Sequence, residues 1–137
     1  MRYLTVLMTM FCLAFSGEKH STVTSEVKQN AKNLNFIVKV QPVPNKSLVM
    51  NYEGPWSLKI IDSKGLDVKV KENRLTLKDF DRTSQQFTFA ANAIDKTKAG
   101  ELKFEVTAFV CVEDKKTKQK TDCYRDVHAQ NVKWTVN

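Results

Sequence analysis

Four glycines, three prolines, three cysteines and two histidines in 137 residues leave little punctuation and little catalytic chemistry in this chain. No glycine-rich phosphate loop, no serine elbow and no His and carboxylate set at a recognisable spacing is present. Helical periodicity is missing as well. No segment carries an apolar stripe of period 3.6 long enough for a convincing helix, and only residues 90–94 read as a helical turn. There is no internal repeat, no low-complexity linker, and beyond the first residues no apolar run that approaches the length of a membrane span.

What is present begins with the N-terminal stretch MRYLTVLMTMFCLAFSG, one basic residue followed by an apolar run and a pair of small residues. This is the layout of a secretory signal peptide, and the Ala14-x-Ser16 pattern places cleavage after Ser16. As a helix the run would reach only about 20 Å, short of a hydrocarbon core of about 30 Å. Met10 and Phe11 stand before Cys12 where lipid attachment would need small residues, so Cys12 leaves with the leader. Residues 1–16 are therefore expected to be removed and residues 17–137 to form one domain of about 120 residues. The expected location is periplasmic or secreted. The formal net charge of +7 becomes +6 without Arg2, and it comes from lysines spread along the chain, which reads as a basic surface on a monomer without nucleic-acid partners.

The remaining sequence alternates. Leu34, Phe36, Val38 and Val40 share one face, and Pro42 and Pro44 end that strand because neither can donate to a ladder. Residues 21–27 read as an earlier edge strand or a flexible arm, with the strand preferred, and His20 beside them as an exposed, unengaged imidazole. Leu48 to Met50 is a short strand, and Trp56, Leu58 and Ile60 open another, with Trp56 as a core plug. Asp62-Ser63-Lys64-Gly65 reads as a hairpin turn. Leu66, Val68 and Val70, then Leu75 and Leu77, then Phe87 and Phe89 continue the pattern. Leu102, Phe104, Val106, Ala108 and Val110 form the clearest core row, and Val132, Trp134 and Val136 close the chain. Seven to nine short strands joined by polar turns describe an all-β, single immunoglobulin-like antiparallel β-sandwich. Asn45-Lys46-Ser47 is a formal glycosylation acceptor.

Two cysteines, Cys111 and Cys123, remain in the mature chain, and export favours their pairing. Alternation sets Cys111 opposite the Phe104 row, near the surface at the end of a strand. The eleven residues between the pair, with Lys115, Lys116, Lys118 and Lys120, suit a protruding hairpin loop. A bridge across it would stabilise the fold by about 3 kcal/mol. Three chemistries stay open for these residues: a structural disulfide, thiol–disulfide exchange, and a zinc site completed by His128, whose spacing matches no usual metal knuckle.

The segments Val106-Thr107-Ala108-Phe109-Val110-Cys111 and Cys123-Tyr124, with Glu53-Gly54-Pro55-Trp56-Ser57-Leu58, resemble the N-terminal periplasmic domain of the bacterial thiol:disulfide interchange protein family. That resemblance implies an immunoglobulin-like fold and a reactive pair, Cys111 and Cys123, passing electrons between thioredoxin-like or other envelope proteins without a cofactor or metal. Under it Tyr124 would shield the bond and Asp122 would act on a thiol proton, and any enzymatic role would be at most that of a thiol–disulfide oxidoreductase partner domain. The chain departs from the family in its longer loop between the cysteines and in Arg125 and Asp126 where prolines normally follow the Cys-Tyr pair. The competing expectation is a non-enzymatic protein-binding module with a purely structural disulfide.

Overall fold

The computed structural model describes residues 5–8, 18–44 and 47–137, and of residues 5–8 only the backbone. The expected leader cleavage after Ser16 and the acceptor residues Asn45 and Lys46 lie outside the described residues.

The strands are β1 (Thr5–Met8), β2 (Ser21–Asn30), β3 (Asn33–Pro42), β4 (Leu48–Met50), β5 (Ser57–Asp62), β6 (Leu66–Val68), β7 (Arg74–Thr76), β8 (Phe80–Asp81), β9 (Gln86–Ala93), β10 (Ala99–Glu113) and β11 (Lys120–Thr135). They build two antiparallel sheets. One, of six strands, runs β1-β2-β3-β9-β6 with β8 also on β9, and the other, of five strands, runs β11-β10-β5-β7 with β4 also on β10. Leaving β1 aside, these orders match strands A, B, E, D and G, F, C, C′ of the immunoglobulin sandwich. The strand number exceeds the seven to nine expected because the chain between β5 and β9 is cut into pieces of two or three residues that cross repeatedly between the sheets.

The alternation of apolar residues explains the layers. Val38, Val40, Leu58, Phe87, Leu102, Val106, Ala108 and Val110 have no exposed surface, and Trp56 and Trp134 retain 2% each. Side chains at every second position of facing strands meet between the sheets, which is the geometry that a period of two imposes. Phe36 stacks on Phe89 at 5.1 Å, and Phe80 packs against both Trp56 and Phe87 at 4.9 Å.

Two local expectations change. Residues 90–94 are not a helical turn, because Ala91 and Ala93 fall on the buried face of β9 and pair with β6. Asp62 to Gly65 does turn, with the Leu66 amide donating to the Ser63 carbonyl at 2.9 Å, but it carries the chain from one sheet to the other and not back along a hairpin. Gly65 takes a φ of +83° there, and an added Cβ would lie 2.7 Å from Thr97 Cγ2.

Candidate functional site

The cysteines lie directly opposite each other on β10 and β11 and form a disulfide, with the Cα atoms 4.0 Å apart. Beyond the bridge the register slips by one residue, from Cys111 opposite Cys123 to Glu113 opposite Lys120. Such a bulge adds local twist and frees the hairpin from the plane of the sheet. Asp122 sits in this bulge and is exposed. Tyr124 follows Cys123 by one residue, so its side chain leaves β11 on the other face. The four residues expected to act together are therefore close along the chain but do not gather on one face.

Cys111 corrects the sequence expectation of a near-surface sulfur: it has no exposed area, whereas Cys123 is exposed. Its face of β10 is covered because β4 pairs with β10 beyond the end of β5, setting Val49 opposite Cys111 on the side away from Cys123. Between β4 and β5 the chain arches over the same face. The Asn51 amide donates to the Phe109 carbonyl at 2.8 Å, and Gly54 lies so close to the Phe109 ring that a Cβ would meet it at 2.4 Å. Trp56 Nε1 donates to the Asn51 carbonyl at 2.6 Å and tightens the arch.

The loop outside the bridge is ordered by its own hydrogen bonds. Asp114 Oδ1 accepts from the amides of Lys116 at 2.8 Å and Thr117 at 3.0 Å, and these bonds hold its carboxyl below the usual aspartate range. The Lys118 amide donates to the Asp114 carbonyl at 2.9 Å with Lys118 itself at a φ of 60°. Lys115, Lys116, Lys118 and Lys120 are exposed around this turn.

A second cluster was missed by sequence reasoning. The inward row of β11 that ends in Val132, Trp134 and Val136 continues backward as Gln130, His128, Asp126 and Tyr124. Gln130 and Asp126 are buried, at 6% and 3% exposure. Asp126 Oδ2 accepts from the Ser21 hydroxyl at 2.5 Å and from the His20 amide at 2.9 Å. Ser21 Oγ also lies 2.8 Å from His128 Nε2. His20, expected to be exposed and unengaged, is stacked on Tyr124 with centroids 3.6 Å apart, and Lys19 Nζ donates to the Val127 carbonyl at 2.8 Å. His128, which the sequence offered as a possible third zinc ligand, is mostly buried, and desolvation pushes it below the ordinary histidine range against the pull of Asp126 and with the help of Lys19.

The proton count rules on what this cluster can do. An ionised Asp126 only accepts, so it takes the single Ser21 hydroxyl proton, and the Ser21 oxygen must then accept from His128 Nε2–H. Ser21 is 2% exposed and its partner nitrogen carries a proton, so His128 does not serve it as a base. A signal for the cluster existed in the sequence: Tyr-x-Asp-x-His-x-Gln places polar residues on the alternation that the closing strand devotes to its core.

Among the described residues no group of three or more His, Cys, Asp or Glu side chains could hold a metal ion. Comparison with protein-family models, with curated proteins and with solved structures finds no match for this chain.

Proposed function

We propose that the protein is an exported, non-catalytic interaction module that presents the stapled β10–β11 hairpin to a protein partner in the envelope or outside the cell. The observation that carries this reading is the complete burial of Cys111. Exchange at this bond would start with a thiolate attacking the exposed Cys123 sulfur and expelling Cys111 as a thiolate. Apolar burial raises a thiol pKa, and a high-pKa thiol leaves slowly. Stapling instead fixes the base of a projecting loop, which lowers the ordering cost of binding through its tip.

Electron exchange is the second reading, favoured by the exposure of Cys123 and by the resemblance to the interchange-protein family. Equilibration of the intact protein with thiol buffers of known potential separates the two. A structural staple is expected to have a potential below about −300 mV. A potential near about −200 mV, with Cys123 of a C111S variant trapping a mixed disulfide on a thioredoxin-like protein, would overturn the binding-module reading in favour of exchange.

A further inference from the structure

We propose that Ser21, Asp126 and His128 form an acid-released latch that holds the beginning of β2 against β11 and so closes one side of the sandwich. The inference is independent of what the hairpin binds. β11 is the outer strand of its sheet and Ser21 opens a strand of the facing sheet, so the cluster ties together two layers that share no ladder there.

Three consecutive residues, Lys19, His20 and Ser21, supply polar ties at this seam. Lys19 reaches the Val127 carbonyl, the His20 amide and the Ser21 hydroxyl both reach Asp126 Oδ2, and the His20 ring lies on Tyr124. The chain of donors runs from His128 Nε2–H to Ser21 Oγ and from Ser21 O–H to Asp126, so the neutral imidazole already fills its place in it. A second proton, taken from water at Nδ1, adds charge without adding a bond to the chain. Among the charged groups that act on the ring are Asp126 on its own strand, with Oδ2 3.8 Å from Nε2, and Lys19 from the segment before β2. His20, from the same segment, is the other imidazole at the seam, and its ring lies on the Tyr124 phenol. From β10 the residue opposite His128 is Val106, which is uncharged and fully buried.

Loss of water opposes the imidazolium most strongly, Asp126 favours it, Lys19 adds a smaller opposition, and the opposing effects prevail. An open seam hydrates the ring and moves Lys19 away. The open form therefore binds the proton more readily, and acidification draws the seam open by mass action. Segments held by a few polar contacts are the parts of a fold that open first.

Amide hydrogen exchange of the intact, oxidised protein between pH 7.5 and pH 5 tests the latch, with each rate corrected for the intrinsic pH dependence. The opening constant of the His20 amide is expected to rise by up to about tenfold per pH unit below about pH 6.5, while amides of β10 stay constant. In His128→Gln, whose side-chain amide still donates to Ser21, the slope should vanish, and in His20→Gln it should persist. A flat profile in the wild type, an unchanged slope in H128Q, loss of the slope in H20Q, or a parallel rise in β10 would each overturn the proposal. NMR titration of the His128 ring in the wild type decides the matter even if neither variant folds: a midpoint below that of an unperturbed histidine side chain, about 6.5, supports the latch, and one at or above it refutes the latch.

Discussion

Replacing both bridged cysteines by alanine tests the staple quantitatively. The bond joins residues 12 apart in sequence, so its removal frees a loop of about 13 residues in the unfolded chain, and the loop-closure relation gives about 3 kcal/mol. Cys111 is fully buried, so the missing sulfur leaves a void that adds on the order of 1 kcal/mol. For a domain of about 120 residues the sum corresponds to a fall in Tm of roughly 12–16 °C. The ladder between β10 and β11 continues from Cys111 and Cys123 back to Ala99 and Thr135, so the sandwich should survive and only the loop should fray. Urea unfolding of the oxidised wild type and of C111A/C123A measures the difference, and amide exchange locates it. A loss below about 1 kcal/mol would mean that the unfolded chain keeps the hairpin closed without the bond, and the entropic account of the staple would fail.

Gly54→Ala should cost about 1–3 kcal/mol in chemical denaturation, because the new methyl group meets the Phe109 ring at 2.4 Å and the arch must lift from β10. The two tryptophans should respond differently to phenylalanine. Trp56 donates to the Asn51 carbonyl, whereas Trp134 Nε1 is buried and has no partner among the described residues, so W56F should be the more destabilising by about 1–2 kcal/mol. Asp114→Ala should release the Lys116 and Thr117 amides to fast exchange with little change in Tm. The Asp114 carboxyl is held below its ordinary value, so the same tip order should be present above about pH 4 in the wild type and be lost as pH falls through the folded value.

The core was legible wherever one face of a strand is buried and the other wet. Leu34, Phe36, Val38 and Val40, and the row from Leu102 to Val110, lie where alternation puts them. Alternation cannot report what covers an outer face. Cys111 stands on the outward register and is nevertheless buried, because β4 and the arch through Gly54 come from sixty residues earlier in the chain. The same limit hid His20, whose partners Tyr124 and Asp126 are more than a hundred residues away. The weak apolar content of residues 21–27 understated β2, which owes its ten residues to pairing with β3 and not to its own composition. Reading β11 inward from Trp134 would have exposed the polar row, had that strand been taken to begin at Lys120 and not near Val132.

The strand order also sets a sequence of events for folding. β2 with β3 and β10 with β11 are local ribbons toward opposite ends of the described chain, and each can close over a short turn. Each sheet is completed only when β9 reaches β3, pairing Leu34 with Ala91, and β5 reaches β10, pairing Leu58 with Val106, and the apolar faces are buried when the two sheets then meet. Such distant pairings place folding on the millisecond-to-second scale of β-sandwiches. On a chain emerging from its N-terminus, the first ribbon must wait, with Phe36 and Val38 uncovered, for some fifty residues of synthesis, about 3–10 s at ordinary elongation rates.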